Sequence, residues 1–271
     1  MDRSAGGVRL MRDGVRRLWR NRIGFIGLVF MLVVIVAAVF APWLATHDPI
    51  GQSILDRFQG PSPSHWLGTD NFGRDLYSRI LYGYRTSVGT ALLSVGIATL
   101  VGGTAGLLAA YLGGVVDRVI MRFMDVLLAF PIILLAIAVL AILGPGSLNT
   151  GLAIGIVYTP IFARLARGPA LTVLSWDYVA AARALGAPAH RLLLRHVLPN
   201  IAAPMLVQLT LSLSTAILVE ASLSFLGLGT QPPTPSLGLM LSDSRDYLLL
   251  SPWTSVLLRS RHPYVASFGF N

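Results

Sequence analysis

The chain has 271 residues, 54% of them hydrophobic and only 12% charged, with a formal net charge of +9. Soluble domains carry about 25% charged residues, so this balance excludes an ordinary soluble fold and predicts an all-α, polytopic bundle of membrane helices. All 21 basic residues are arginine and cysteine is absent, which excludes a lysine-bearing phosphate loop as well as thiolate, disulfide and cysteine-metal chemistry.

A bilayer core of about 30 Å requires roughly 20 apolar residues per helix. Residues 1–22 hold seven arginines, from Arg3 to Arg22, and precede a first apolar run over 23–44. That run exceeds the roughly 7–15 residues of a cleaved signal core, so it reads as a retained span behind a cytoplasmic segment. A loop over 45–85 follows, with Arg57, Arg74, Arg79 and Arg85 balanced by Asp48, Asp56, Asp70 and Asp75. Here Asp70, Arg74 and Asp75 are expected to stabilise the loop or to dock a partner.

The remainder, 86–271, reads as a core domain. Its second span falls within 86–116, where Ala98, Gly102, Gly106 and Ala110 recur every fourth residue; small side chains on one face let helix backbones approach closely. Gly144, Pro145 and Gly146 break the next apolar stretch into a third span near 119–143 and a fourth near 152–167. A fifth occupies about 198–219. Ionisable groups inside membranes are costly and often functional, which marks Asp125 and Glu220, although both sit near expected interfaces where an ion pair would suffice. The histidines at 47, 65, 190, 196 and 262 show no metal-ligand spacing, so neither a metal site nor a catalytic cluster is expected.

Basic residues are retained in short cytoplasmic loops. Alternating spans then place the N-terminus, Arg118, Arg122, and the cluster of Arg164, Arg167, Arg183, Arg191 and Arg195 inside, with 45–85 outside. Dispersed arginines beside apolar spans suit topology and anionic lipid rather than nucleic acid.

Between the fourth and fifth spans, within 168–199, lies a basic, helix-prone segment. Ser175 is expected to cap a first helix, with Asp177 adding charge at its positive end. Gly186 suits a left-handed stop, and Pro188 and Pro199 suit the start of the following helix and its junction with the span. The residues Asp177, Ala180, Ala181, Ala182, Gly186, Arg191, Arg195, His196, Leu198 and Pro199, closing on Asn200, form a pattern that resembles the cytoplasmic EAA loop of permease subunits of binding-protein-dependent ABC importers. Two further stretches, HWLGTDNFGRDLYSRILYGYRTS from His65 and EASLSFLGLGTQPPTP from Glu220, are similar to the dipeptide, oligopeptide and nickel branch, particularly its C-type subunit.

The resemblance implies a type I importer fold of six spans, about five being evident here. It also implies a second permease subunit, two cytoplasmic ABC ATPases that use ATP and Mg, an extracytoplasmic substrate-binding protein, and no cofactor bound by this chain. The implied cargo is a dipeptide or oligopeptide, with nickel, glutathione or haem as alternatives for the same machinery. An ion-coupled secondary transporter is the alternative of another class; it would need ionisable groups near mid-membrane. Two departures stand out. Ala180 replaces the usual glutamate, and His196 stands where many members have an aliphatic residue. After Trp253 the family's sixth apolar span is not apparent, which predicts a truncated or frame-shifted ending, five spans, and a C-terminus outside or at the interface.

Overall fold

Helix α2 (Leu76–Ile97) starts where Asp75 turns its carboxylate back on the first turn: Oδ2 accepts from the Ser78 backbone N–H at 2.8 Å and from the Ser78 hydroxyl at 2.7 Å. The computed structural model describes residues 32–245 and Tyr247. Within that range residues 32–39 are helical, followed by a short helix α1 (Ala41–Leu44), so the later part of the first apolar run is helical as expected. The basic N-terminal segment, the opening of that run and the atypical ending after Trp253 lie outside the described residues.

Among the described residues the regular elements are helices, apart from one antiparallel bridge between Thr69 and Asp75. A π turn (Ala98–Gly102) joins α2 to α3 (Gly103–Leu112), giving one apolar helix of 37 residues. Gly113 and Gly114, at φ +61° and +55°, end it. Then come α4 (Gly114–Leu128), α5 (Ile132–Leu143) and α6 (Ser147–Leu174). After the 177–200 segment the chain returns as α9 (Leu198–Phe225), and α10 (Leu237–Arg245) packs against α9 and α2.

The core forms around α6. A methyl group built on Gly102 would lie 2.3 Å from the Thr159 carbonyl oxygen, and one on Gly106 would lie 2.2 Å from that of Ala163. The stripe of Ala98, Gly102, Gly106 and Ala110 therefore packs α2–α3 against α6 within this chain, at a separation only small residues allow. Because Gly151 meets Leu93, Gly155 meets Ile97 and Gly106 meets Ala163, the two helices run in the same direction. Helix α9 runs back antiparallel, with Met205 near Gly103 and Glu220 bonded to Ser87. The 45–75 loop thus lies at one end of the bundle and the 177–200 segment at the other.

Among the described residues three helices are long and apolar enough to cross a membrane, Leu76–Leu112, Ser147–Leu174 and Ala189–Phe225, or four if α4 and α5 together make one span. Several boundaries differ from the sequence expectation. The expected third span over 119–143 is not one straight helix, because α4 and α5 meet at 97°. Pro131 caps α5 and has no N–H to continue α4, and it disfavours helical geometry at Phe130. The second span begins ten residues before its apolar run, because its first turns are buried against the first helical stretch, the 45–75 loop and α10. Gly144 and Gly146 do form a turn, at φ +81° and +138°.

Candidate functional site

The 177–200 segment is a bent pair of helices standing off the bundle. Helix α7 (Asp177–Ala184) ends in a left-handed Gly186 at φ +80°. Ala187 N–H donates to the Ala182 carbonyl at 3.1 Å and Gly186 N–H to that of Arg183 at 3.0 Å, the paired bonds of a Schellman stop. Ala182 and Ala187 both pack on the core behind this turn. Pro188 caps α8 (Ala189–Leu192), and a π turn (Leu193–Val197) carries the helix without a break into α9. The expected second short helix is therefore the first turns of the long return helix. Pro199 stands directly after the π turn, at the second residue of the α-helical stretch Leu198–Phe225.

The expected Ser175 cap is not formed. Trp176 occupies the N-cap of α7 with no side-chain cap bond, and the Ser175 hydroxyl donates to the Thr172 carbonyl at 2.8 Å. Asp177 does lie in the first turn, where its charge favours the positive helix end.

Burial separates the segment into two faces. Val179, Leu192 and Val197 are fully enclosed and join the main core. Ala180, Ala181, Gly186, Arg191, Arg195 and Leu198 are exposed, and Leu185 is 89% exposed. Leu185 was not singled out from the sequence; its signal was its place directly before the helix-stopping glycine. The Arg183 guanidinium lies 5.2 Å from the Tyr111 ring centre, tying α7 to the end of α3. His196 meets Tyr178 edge to face at 5.8 Å, and Asn200 donates to the His196 carbonyl at 2.6 Å. The segment is held firmly from below and presents small and apolar groups outward.

Ion pairs brace the same end. Arg167 Nε and Nη2 donate to the two carboxylate oxygens of Asp117 at 2.5 and 2.6 Å, joining α6 to α4. Asp125 does form an ion pair, with Arg164 of α6 at 2.5 Å. Its role is to bridge two helices, with both side chains half exposed.

Glu220 is fully buried inside the bundle. It accepts from Ser87 of α2 at 2.6 Å and from Ser224 at 2.8 Å, and the Ser224 hydroxyl in turn accepts from the Thr230 N–H at 3.2 Å. The carboxylate thereby fixes α2, α9 and the start of the 226–235 segment together.

At this end the 45–75 loop is knitted by charge. Asp70 accepts from Arg74 Nε at 2.6 Å and faces Arg79 Nε at 3.4 Å, while Arg79, 1% exposed, donates to the Pro49 carbonyl at 3.1 Å. Thr69 donates to the Asp56 carbonyl. Burial alone would raise the pKa of Asp75; hydrogen bonds from the Ser78 N–H and hydroxyl and from His65, with the field of His47, outweigh it and hold the carboxyl below its usual value.

Residues 102–258 match the family model of binding-protein-dependent transport system inner membrane components, more than half of the chain. The chain belongs to that family. Residues 9–61 also match the N-terminal membrane domain of oligopeptide transport permease C. A dipeptide transport system permease protein of Alkalihalophilus pseudofirmus is 44% identical over 96% of this chain and 85% of its own length. A di/tripeptide permease protein of Pseudomonas aeruginosa is 47% identical over 84% and 77%, and a glutathione permease protein of Pectobacterium atrosepticum is 42% identical over 90% and 82%. The inward-facing MetNI methionine ABC transporter has a chain that superposes with a TM-score of 0.53 at 17% identity, covering 68% of this chain and 88% of its own, a likeness of fold. This chain is a multi-pass inner-membrane permease subunit of an ABC importer, works with ATPase and other transporter subunits, and is not an enzyme.

Proposed function

We propose that this chain forms half of the translocation pathway of a short-peptide importer and receives the force of ATP hydrolysis through residues 177–199. The observation that carries this reading is the division of that segment into a buried root, Val179, Leu192 and Val197, and an exposed head, Ala180, Ala181, Leu185 and Gly186. A rooted, small-residue knob fits a groove in a partner and transmits rigid-body motion, because its base cannot move without the bundle. Ala182 sits at the hinge of root and head. With alanine at position 180, docking rests on shape and apolar contact rather than on a glutamate.

The arginines support the orientation. Arg118, Arg122, Arg164, Arg167, Arg183, Arg191 and Arg195 gather at the end of the bundle that bears the knob, which the retention of basic residues assigns to the cytoplasm. The N-terminus is then also cytoplasmic. The 45–75 loop faces outward, toward a substrate-binding protein, and the second permease covers the exposed apolar side chains of α9, such as Leu206, Val207 and Leu211. Two ATPases use ATP and Mg, and this chain binds no cofactor for transport. The cargo follows the relatives' names: dipeptides, tripeptides and the tripeptide-like glutathione share a peptide backbone with charged termini.

Since the chain has no cysteine, Ala181→Cys and Leu185→Cys each provide a single thiol. In the assembled transporter these thiols crosslink to a nucleotide-hydrolysing subunit, and dipeptides stimulate ATP hydrolysis in proteoliposomes more than nickel salts do. Failure of both thiols to reach such a subunit, or undiminished uptake after deletion of 180–186, would overturn the coupling role.

A further inference from the structure

His47 follows the first helical stretch, His65 lies 18 positions later in the loop, and Asp75 opens α2, so nothing in their spacing joins them. The fold does. His65 Nδ1 lies 3.0 Å and His47 Nδ1 3.9 Å from the same Asp75 oxygen, Oδ1. One donor atom from each of the three residues falls within 4.8 Å of the others, and the imidazole rings lie 4.6 Å apart at 33°. Oδ1 is the oxygen the helix cap does not use, because Ser78 takes Oδ2.

We propose that His47, His65 and Asp75 bind one divalent cation of the zinc and nickel class, with water completing the coordination. Metal–ligand bonds of about 2.0–2.1 Å in a tetrahedron set donor atoms roughly 3.3 Å apart, which the observed 3.0 and 3.9 Å bracket. Two imidazoles and one carboxylate suit zinc, nickel or copper and not the all-oxygen preference of calcium or magnesium. A cap needs a single acceptor, and His65 alone would satisfy Oδ1; the second imidazole stands 3.9 Å from that oxygen, a separation that a shared cation would bridge. The supporting contacts are those of a prepared site. Asp75 is fully buried and oriented by Ser78, and the His47 backbone N–H donates to Ser78 Oγ at 3.1 Å; Thr46 Oγ1, 3.0 Å from His47 Nδ1, gives way when that nitrogen takes the metal. His47 itself is 42% exposed, which gives the ion an entry path and room for water. Bound there, the cation clamps the chain leaving the first helix to the start of α2.

The test is calorimetric titration of zinc chloride into the full chain, carried by a tag without histidine, stripped with chelator and reconstituted in lipid nanodiscs without partner subunits. One saturable site per chain is expected, weakened at least about ten-fold in His47→Ala and in His65→Gln. Zinc should raise the unfolding temperature of the parent and not of the double variant. His47→Ala removes an exposed side chain and keeps the His65–Asp75 bond, so it reports on binding rather than folding. No saturable binding in the parent, or equal binding in His47→Ala, would overturn the proposal. His190, His196 and His262 remain in every variant, and zinc held by them gives that second result.

Discussion

Ser87 and Glu220, 133 positions apart in the chain, meet through a 2.6 Å hydrogen bond in the interior of the bundle. The bond sets where α9 crosses α2, and through Ser224 it reaches the Thr230 backbone. Replacing Glu220 with alanine leaves two buried hydroxyls short of an acceptor, at a cost of about 1–3 kcal/mol. Thermal unfolding in nanodiscs checks this, and Glu220→Gln, which keeps an acceptor oxygen, should lose less.

Gly106 allows α3 to lie directly on the backbone of α6. Alanine at this site would force its methyl against the Ala163 carbonyl, and the helices must separate, a strain of about 1–3 kcal/mol. Gly89→Ala, whose methyl meets nothing within 4 Å, is the matched control. Unfolding temperatures of the pair should fall for the first and hold for the second.

Leu185 projects from the knob and contributes nothing to the core. Leu185→Asp should change stability by no more than the roughly 0.5 kcal/mol typical of surface changes, yet depress peptide-stimulated ATP hydrolysis in the assembled transporter. Unchanged stimulation would separate the knob from coupling. Gly186→Val acts differently: a β-branched residue at φ +80° is strained by about 1–3 kcal/mol, so it should lower both stability and coupling.

Arg79 is enclosed beneath the 45–75 loop and holds Asp70 and the Pro49 carbonyl together. Asp70 keeps Arg74 when Arg79 is removed, so the loss is mainly that of the buried charged hydrogen bond to the Pro49 carbonyl, about 1.5–3 kcal/mol. Arg79→Ala should expose the loop to limited proteolysis. Arg79→Lys should not restore protection, because an ammonium lacks the guanidinium fork that reaches both partners.

Fold class, the existence of the apolar helices, the glycine stop at Gly186 and the small-residue stripe were all legible in the order of residues. Each of these is a local property: hydropathy follows from composition, and a left-handed turn or a close helix approach demands small residues wherever it occurs. Family membership was equally legible, in the segments beginning at His65, Asp177 and Glu220. What those residues touch is a matter of how the helices pack. The Arg164 partner of Asp125 and the burial of Glu220 against Ser87 depend on neighbours far along the chain. So does the meeting of His47, His65 and Asp75. Apolar patterning states that a helix is buried, whereas the pairing of its few polar groups is fixed by the packing of helix against helix.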